Sequence, residues 1–393
     1  MRTFIRTTKD ATIYQRFPTL NTGMDEILEV GKVTQELDGG NMFSSASVRF
    51  LMDFDVPSGS FPEEAKYFLN LHIAHTTGLD RYQKLHVHTV TQSWDEGSGI
   101  RFQNTVVFTG RTRLIPVLDP DTGERTGWER VADDSGRLTG PSAWTRDGAT
   151  WADATREESW QELGGDFDPV EAAEFEFIEP RITDVRIEVT DLFRDINDGT
   201  IPQEDWRGII VKFPDEDEGD PQNVGNVRFF SRDTHTVFEP RLEVAWENQE
   251  FNPPAELRSI AELGGLANKV KVAPRNLKQE YIRGERGRIY LVVRDAYPNK
   301  SFNTVQRYRN TYYLPETSYF RITDSVSGVK LYDFDEFSAL GCDEEGSYIE
   351  LDTSGLEINR HYTLELKVRT DDTTFFPDFN HNFRVVRDGK FRE

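Results

Sequence analysis

Apolar and polar residues alternate with a period of two along much of this chain. Val48, Phe50, Met52 and Phe54 share one parity, and Arg49, Leu51 and Asp53 fall between them. That is the pattern of a strand with one buried face, because successive side chains point to opposite sides of a sheet. Segments 67–73 and 84–90 are short and β-rich, and Gly78 and Asp80 between them are turn formers, so the two predict a hairpin. Further strands are predicted at 186–189, 208–213, 226–231 and 241–246, each bounded by Pro, Gly or Asp.

Helix signals are sparse. One short helix is predicted at 191–197, with Thr190 or Asp191 as its cap and Gly199 as its stop, and a second at 255–267 after Pro253-Pro254. Asp119-Pro120-Asp121-Thr122-Gly123 is a turn signal between 114–118 and 128–131, which predicts a protruding hairpin. The prolines then close a first domain at 1–248, with the hairpin insertion at about 111–140, and open a linker with a short helix at 249–269. A second domain at 270–393 carries strand patterns at 288–294, 319–323, 348–351, 362–369 and 382–386. Strands of this length and spacing predict an all-β chain built from sandwiches, not a parallel α/β sheet, and the second block fits an immunoglobulin-like one.

Composition narrows the field. At 393 residues the chain has room for two or three domains. Hydrophobic residues make up 36% and aromatic residues 12%, enough for folded cores. A net charge of −23 with no basic patch excludes nucleic acid as a partner, since phosphate would be repelled. A single cysteine, Cys342, rules out an intrachain disulfide, so stability must come from packing. Residues 1–13 lack the apolar core of a signal peptide or membrane span, so a soluble protein made in a cytoplasm is expected, with no membrane partner.

A series of marks runs through the first block. They are Asp10-Ala11-Thr12-Ile13 with Pro18 and Asn21-Thr22-Gly23, then Leu28-Glu29-Val30-Gly31, the strand at 48–54, and 85–91 followed by Trp94 and Glu96. Next come Ala143-Trp144, Thr150-Trp151, 164–168, Val189 to Leu192 with Gly199, 208–212, Phe229 to Asp233, and 240–246. In this order the block resembles the DNRLRE-type domains, a jelly-roll family related to carbohydrate-binding modules. It departs from that pattern in a longer insertion at 111–140 and in the segment 97–108. The second block, with marks at 312–319, 332–335, 351–356 and Tyr362, resembles the immunoglobulin-like domains that follow such modules in tailed-phage virion proteins.

These resemblances imply a jelly-roll β-sandwich followed by a smaller immunoglobulin-like β-sandwich. They imply a non-enzymatic virion structural protein of the tail, baseplate, neck or head surface, made in the host cytoplasm. Its expected partners are other virion structural proteins, met in a homo-oligomeric ring or array. The alternative they leave open is an adhesion module that binds host surface glycan.

Candidate chemistry is thin. His86 and His88 share one face of a strand and Glu96 lies shortly after them, the donor set of a cupin-like metal enzyme. If Val87 faces the core, however, both imidazoles face outward. His72 and His75, three apart, point to opposite faces unless the strand bends. No nucleophile elbow, His-Glu-x-x-His pair or phosphate loop occurs, so no enzyme activity is expected. No cofactor is expected either, although calcium could find oxygen ligands at Asp119 and Asp121 with Glu124, at Asp166 and Asp168, or along the run 215–220, none in EF-hand register. The acidic run 215–220 reads as a solvated loop. Trp160, Trp144 and Trp151 offer flat rings for stacking on sugar, with core packing as the competing role for Trp144 and Trp151.

Overall fold

The computed structural model describes residues 1–36, 43–79, 82–100, 113–118, 125–131, 148–170, 173–178, 184–220, 224–247, 249–263, 270–297, 312–370 and 373–387. The protein is all-β, as its alternation predicts. Among the described residues no helix is long and apolar enough to cross a membrane. The chain divides into two compact units, one of Ile5–Glu243 and one of Val244–Glu393 together with Met1–Phe4. The second unit therefore includes four residues from the start of the chain and begins at Val244.

The first unit contains β1 (Arg2–Tyr14, from Ile5 onward), β2 (Ile27–Glu36), β3 (Phe43–Phe54), β4 (Lys66–Leu71), β5 (Ile73–Thr77), β6 (Tyr82–Thr89) and the pair β7 (Arg113–Leu118) and β8 (Arg125–Val131). After these come β9 (Ala173–Ile178), β10 (Val185–Glu188), β11 (Ile209–Lys212), β12 (Gly225–Phe230) and β13 (Arg241–Ala245). Eleven of them join in the order β10-β4-β13-β1-β3-β11-β6-β9, and β2, β12 and β5 branch from β3. The long β3 makes the branch possible: its Phe43–Val48 half pairs β2, and its Val48–Phe54 half pairs β1 on one side and β11 on the other. Gly31 of β2 is paired with both Val48 and Asn226, and only glycine fits there, since a Cβ would lie 2.2 Å from the carbonyl of Gly225.

The hairpin expected between 67–73 and 84–90 does not form. The strand breaks at His72, whose carbonyl accepts a bond from the Phe230 amide, and the next residues pair with β12 as β5. Strand β6 pairs with β11 and β9 instead. Non-local partners took both ladders. The hairpin is present as the antiparallel β7–β8 pair, and its turn lies outside the described residues.

Helix α1 (Thr190–Asn197) buries Leu192, Phe193 and Ile196, and Phe193 stacks on Tyr67 at 5.7 Å. Its N-cap is Val189, not Thr190 or Asp191. The Thr190 hydroxyl is used elsewhere, accepting from the Tyr67 amide and donating to Glu188. Gly199, at φ +80°, follows the helix as expected.

The second unit is a two-sheet sandwich around one core. One sheet runs β14 (Arg258–Ser259), β18 (Tyr312–Tyr313), β17 (Arg286–Asp295), β22 (Gly346–Asp352) and β21 (Gly341–Asp343), with β15 (Val270–Pro274) on β17. The other runs β16 (Glu280–Ile282), β25 (His381–Val386), β23 (Arg360–Arg369), β19 (Ser318–Asp324) and β20 (Lys330–Tyr332), with β24 (Thr374–Phe375) on β23. Ile289, Leu291 and Ile349 from the first meet Phe320, Ile322, Leu364 and Phe383 from the second. The helix expected at 255–267 is absent from the described part of that segment. β14 pairs in parallel with β18, using backbone groups a helix would need, and only a 3-10 turn at Ile260–Leu263 comes after it.

Candidate functional site

Through residues 11–13 of β1, 50–52 of β3 and 209–212 of β11 the sheet is buried on both faces, and this determines the fate of most candidate residues. On one face Phe50 meets Phe229 at 5.9 Å. On the other, Ala11, Leu51 and Ile210 are cross-strand neighbours, and with Ile13 they form a small separate core under Trp94, Trp151 and Trp160. All four residues of β11 are buried as a result.

Trp160 and Trp151 belong to this layer. They are 1% and 5% exposed, and the Trp160 indole donates to the Thr150 carbonyl at 2.8 Å. Neither ring has a free face for sugar, which corrects the stacking role considered for both. Trp144 lies outside the described residues.

Beside the apolar row lies a charged one. Arg49 and Lys212 point outward from the paired strands β3 and β11, and helix α2 (Asp215–Gly219) covers them. The run expected to be a solvated loop is this helix. Glu218, its side chain 8% exposed, takes a bidentate bond from Arg49 and lies 3.6 Å from the Lys212 ammonium, which is 1% exposed and also contacts Asp215. Lys32 donates to the carbonyls of Asp217, Glu218 and Asp220 at the end of the helix, where a cation offsets the partial negative charge of unpaired carbonyls.

His86 and His88 do face away from the core of Val87, but only His86 is a surface group. His88 is 5% exposed, held by the Asp168 carbonyl at 2.9 Å and by the Phe167 ring at 4.9 Å. His86 lies 3.3 Å from Glu174. Glu96 joins neither imidazole, so the three-ligand metal set is not assembled. His72 is bonded to Asp184 at the strand break.

A cleft of about 810 Å³ opens next to this layer, lined by Arg49, Thr91, Glu162, Asp166 and Phe167 among others. Its charges are engaged. Arg49 adds a bond to the Gly164 carbonyl to those on Glu218. Asp166 accepts from the Gln161 and Glu162 amides, and Asp168 from the Val170 amide, so each closes its own turn and the two form no joint ion site. Asp119 and Asp121 lie outside the described residues.

Glu96 is found elsewhere, with Asp10 and Asp233. One oxygen from each of the three carboxylates lies within 4.8 Å of the others, the one such grouping of acidic, His or Cys side chains among the described residues. Asp10 is 1% exposed. Its amide donates to Glu96 at 2.9 Å, and its carboxyl accepts from the Arg232 amide at 2.8 Å. The Arg232 guanidinium lies 3.4 Å from Glu96 and 3.9 Å from Asp233. Burial pushes the Asp10 carboxyl up to about 8, with Glu96 and Asp233 adding to the shift against the opposing Arg232 amide and guanidinium. Glu96 is raised as well, again chiefly by burial.

All three acids were visible as marks in the sequence, but spacing gave no reason to join them, since Asp10 and Arg232 are 222 residues apart. Comparison of the chain with family models, curated proteins and solved structures finds no match.

Proposed function

We propose that the chain is a non-enzymatic structural component of a tailed-phage particle, whose jelly-roll-like and immunoglobulin-like units pack against other virion subunits in a ring or array. The observation that carries the non-enzymatic half is the engagement of the candidate catalytic groups. Glu96 is bonded to the Asp10 amide, His88 to the Asp168 carbonyl, and His86 lies 3.3 Å from Glu174. The particle half rests on the ordered marks from Asp10 to Trp246 and on the second block after them. A glycan-binding role has less support, because the rings of Trp151 and Trp160 are buried. Mass spectrometry of purified particles tests the reading. The chain is expected at fixed stoichiometry with known structural subunits, and its absence from intact particles would contradict the proposal.

A further inference from the structure

Three segments meet at Asp10. β1 supplies Asp10 itself, the segment after β6 supplies Glu96, and the turn after β12 supplies Arg232 and Asp233. Asn21 ties a fourth strip of chain to the group, donating to the carbonyls of Glu96 and Ala149. Gly23 lies so close that a Cβ would be 2.1 Å from the Glu96 carbonyl.

The charges do not balance. Three carboxylates face one guanidinium, and Lys9, next to Asp10 in sequence, is engaged elsewhere, donating to the Trp94 carbonyl and lying 3.6 Å from Asp53. The residue paired with Asp10 across β3 is the uncharged Met52, and the 21–23 strip reaches the group through the uncharged Asn21, bonded to the Glu96 carbonyl. One carboxylate oxygen, Oδ2 of Asp233, is shielded from solvent and has no hydrogen-bond partner. A fully ionised cluster would hold two surplus negative charges, one of them on a group shut off from water. A buried carboxyl holds its proton more tightly than one in water, and neighbouring carboxylates add to the effect.

We propose that Asp10, Glu96, Asp233 and Arg232 form a pH-sensitive clasp, closed while one carboxyl of the group keeps its proton and loosened when that proton leaves. Asp10 is the site of that proton, being the most deeply buried of the three and pushed up to about 8. In an opened clasp its carboxyl returns to the ordinary range, near 4. The closed form then binds the proton more tightly than the open form. The stabilisation is complete below about pH 4, declines as pH rises and is lost once pH has passed about 8. The parts released are the segment around Glu96 and the turn at Ser231–Asp233.

Hydrogen exchange of the full chain between pH 5 and pH 9.5, corrected for intrinsic rates, is the test. Protection of peptides covering Arg232 and Glu96 should fall by up to about tenfold per pH unit up to pH 8 and level off above it. Peptides of β23 should show no such slope. Asp10→Asn, which keeps the acceptor and mimics the neutral acid, should remove the slope. Flat protection in the unaltered chain overturns the proposal without reference to any variant, and so does a slope that survives in Asp10→Asn. Recovery of protection at pH 9 on adding millimolar calcium also overturns it, since the cluster would then close on a cation and not on a proton.

Discussion

Arg49 and Glu218 meet through two parallel bonds, Nε to Oε1 at 3.1 Å and Nη2 to Oε2 at 2.6 Å, with side chains only 12% and 8% exposed. Lys212 shares the same carboxylate. Removing one partner of a shielded pair leaves the other charge uncompensated, which costs far more than the pair contributes net. Glu218→Ala takes from Arg49 its carboxylate partner and leaves Lys212 only the exposed Asp215, and should destabilise the first unit by about 3–5 kcal/mol. Urea denaturation checks this, and a loss under about 1 kcal/mol would mean that the helix and its cations are solvated after all.

Trp160 fills the small core on the outward face and should be a stability residue. Trp160→Ala removes a ring that is 1% exposed, together with its bond to Thr150, and should cost about 3–5 kcal/mol. Thermal denaturation reads the loss. A variant as stable as the parent that binds glycan less well would restore the stacking role.

Gly208 enters β11 at φ +85°, and a Cβ there would lie 2.3 Å from the Met52 carbonyl. Backbone atoms cannot yield as a side-chain tip does. Gly208→Ala should therefore cost about 2–3 kcal/mol, more than Gly59→Ala, where φ is +66° but a Cβ meets nothing within 4 Å and the cost is about 1 kcal/mol. Equal melting temperatures for the two variants would contradict the close approach.

Cys342 is fully buried, and burial pushes its thiol up to about 11. The reactive thiolate is therefore scarce at pH 8. A thiol-specific reagent should label the native chain very slowly and the urea-unfolded chain at once. Rapid labelling under native conditions would place the thiol at an accessible position.

Strands with one wet face were legible in the sequence, and those without one were less so. The 362–369 pattern is realised in β23, where Tyr362, Leu364, Leu366 and Val368 face the core. Alternation also located β3, but it gave Leu51 to the polar face, whereas Leu51 is fully buried under the tryptophan layer. Nothing in the spacing of 48–54 announces a cover supplied a hundred residues later. The acidic run was legible as charge and not as helix, because its anchors Lys32, Arg49 and Lys212 come from three different strands. Glu96 was singled out correctly and given the wrong company. The histidines were near it in sequence, while Asp10 is 86 residues away across the fold.

A cryo-electron-microscopy map of the purified particle addresses the central claim most directly. The account predicts density for both units at a repeated position in the tail, baseplate, neck or head surface, with each copy packed against its neighbours in a ring or array. A complete map of the particle with every density assigned to other chains would contradict it.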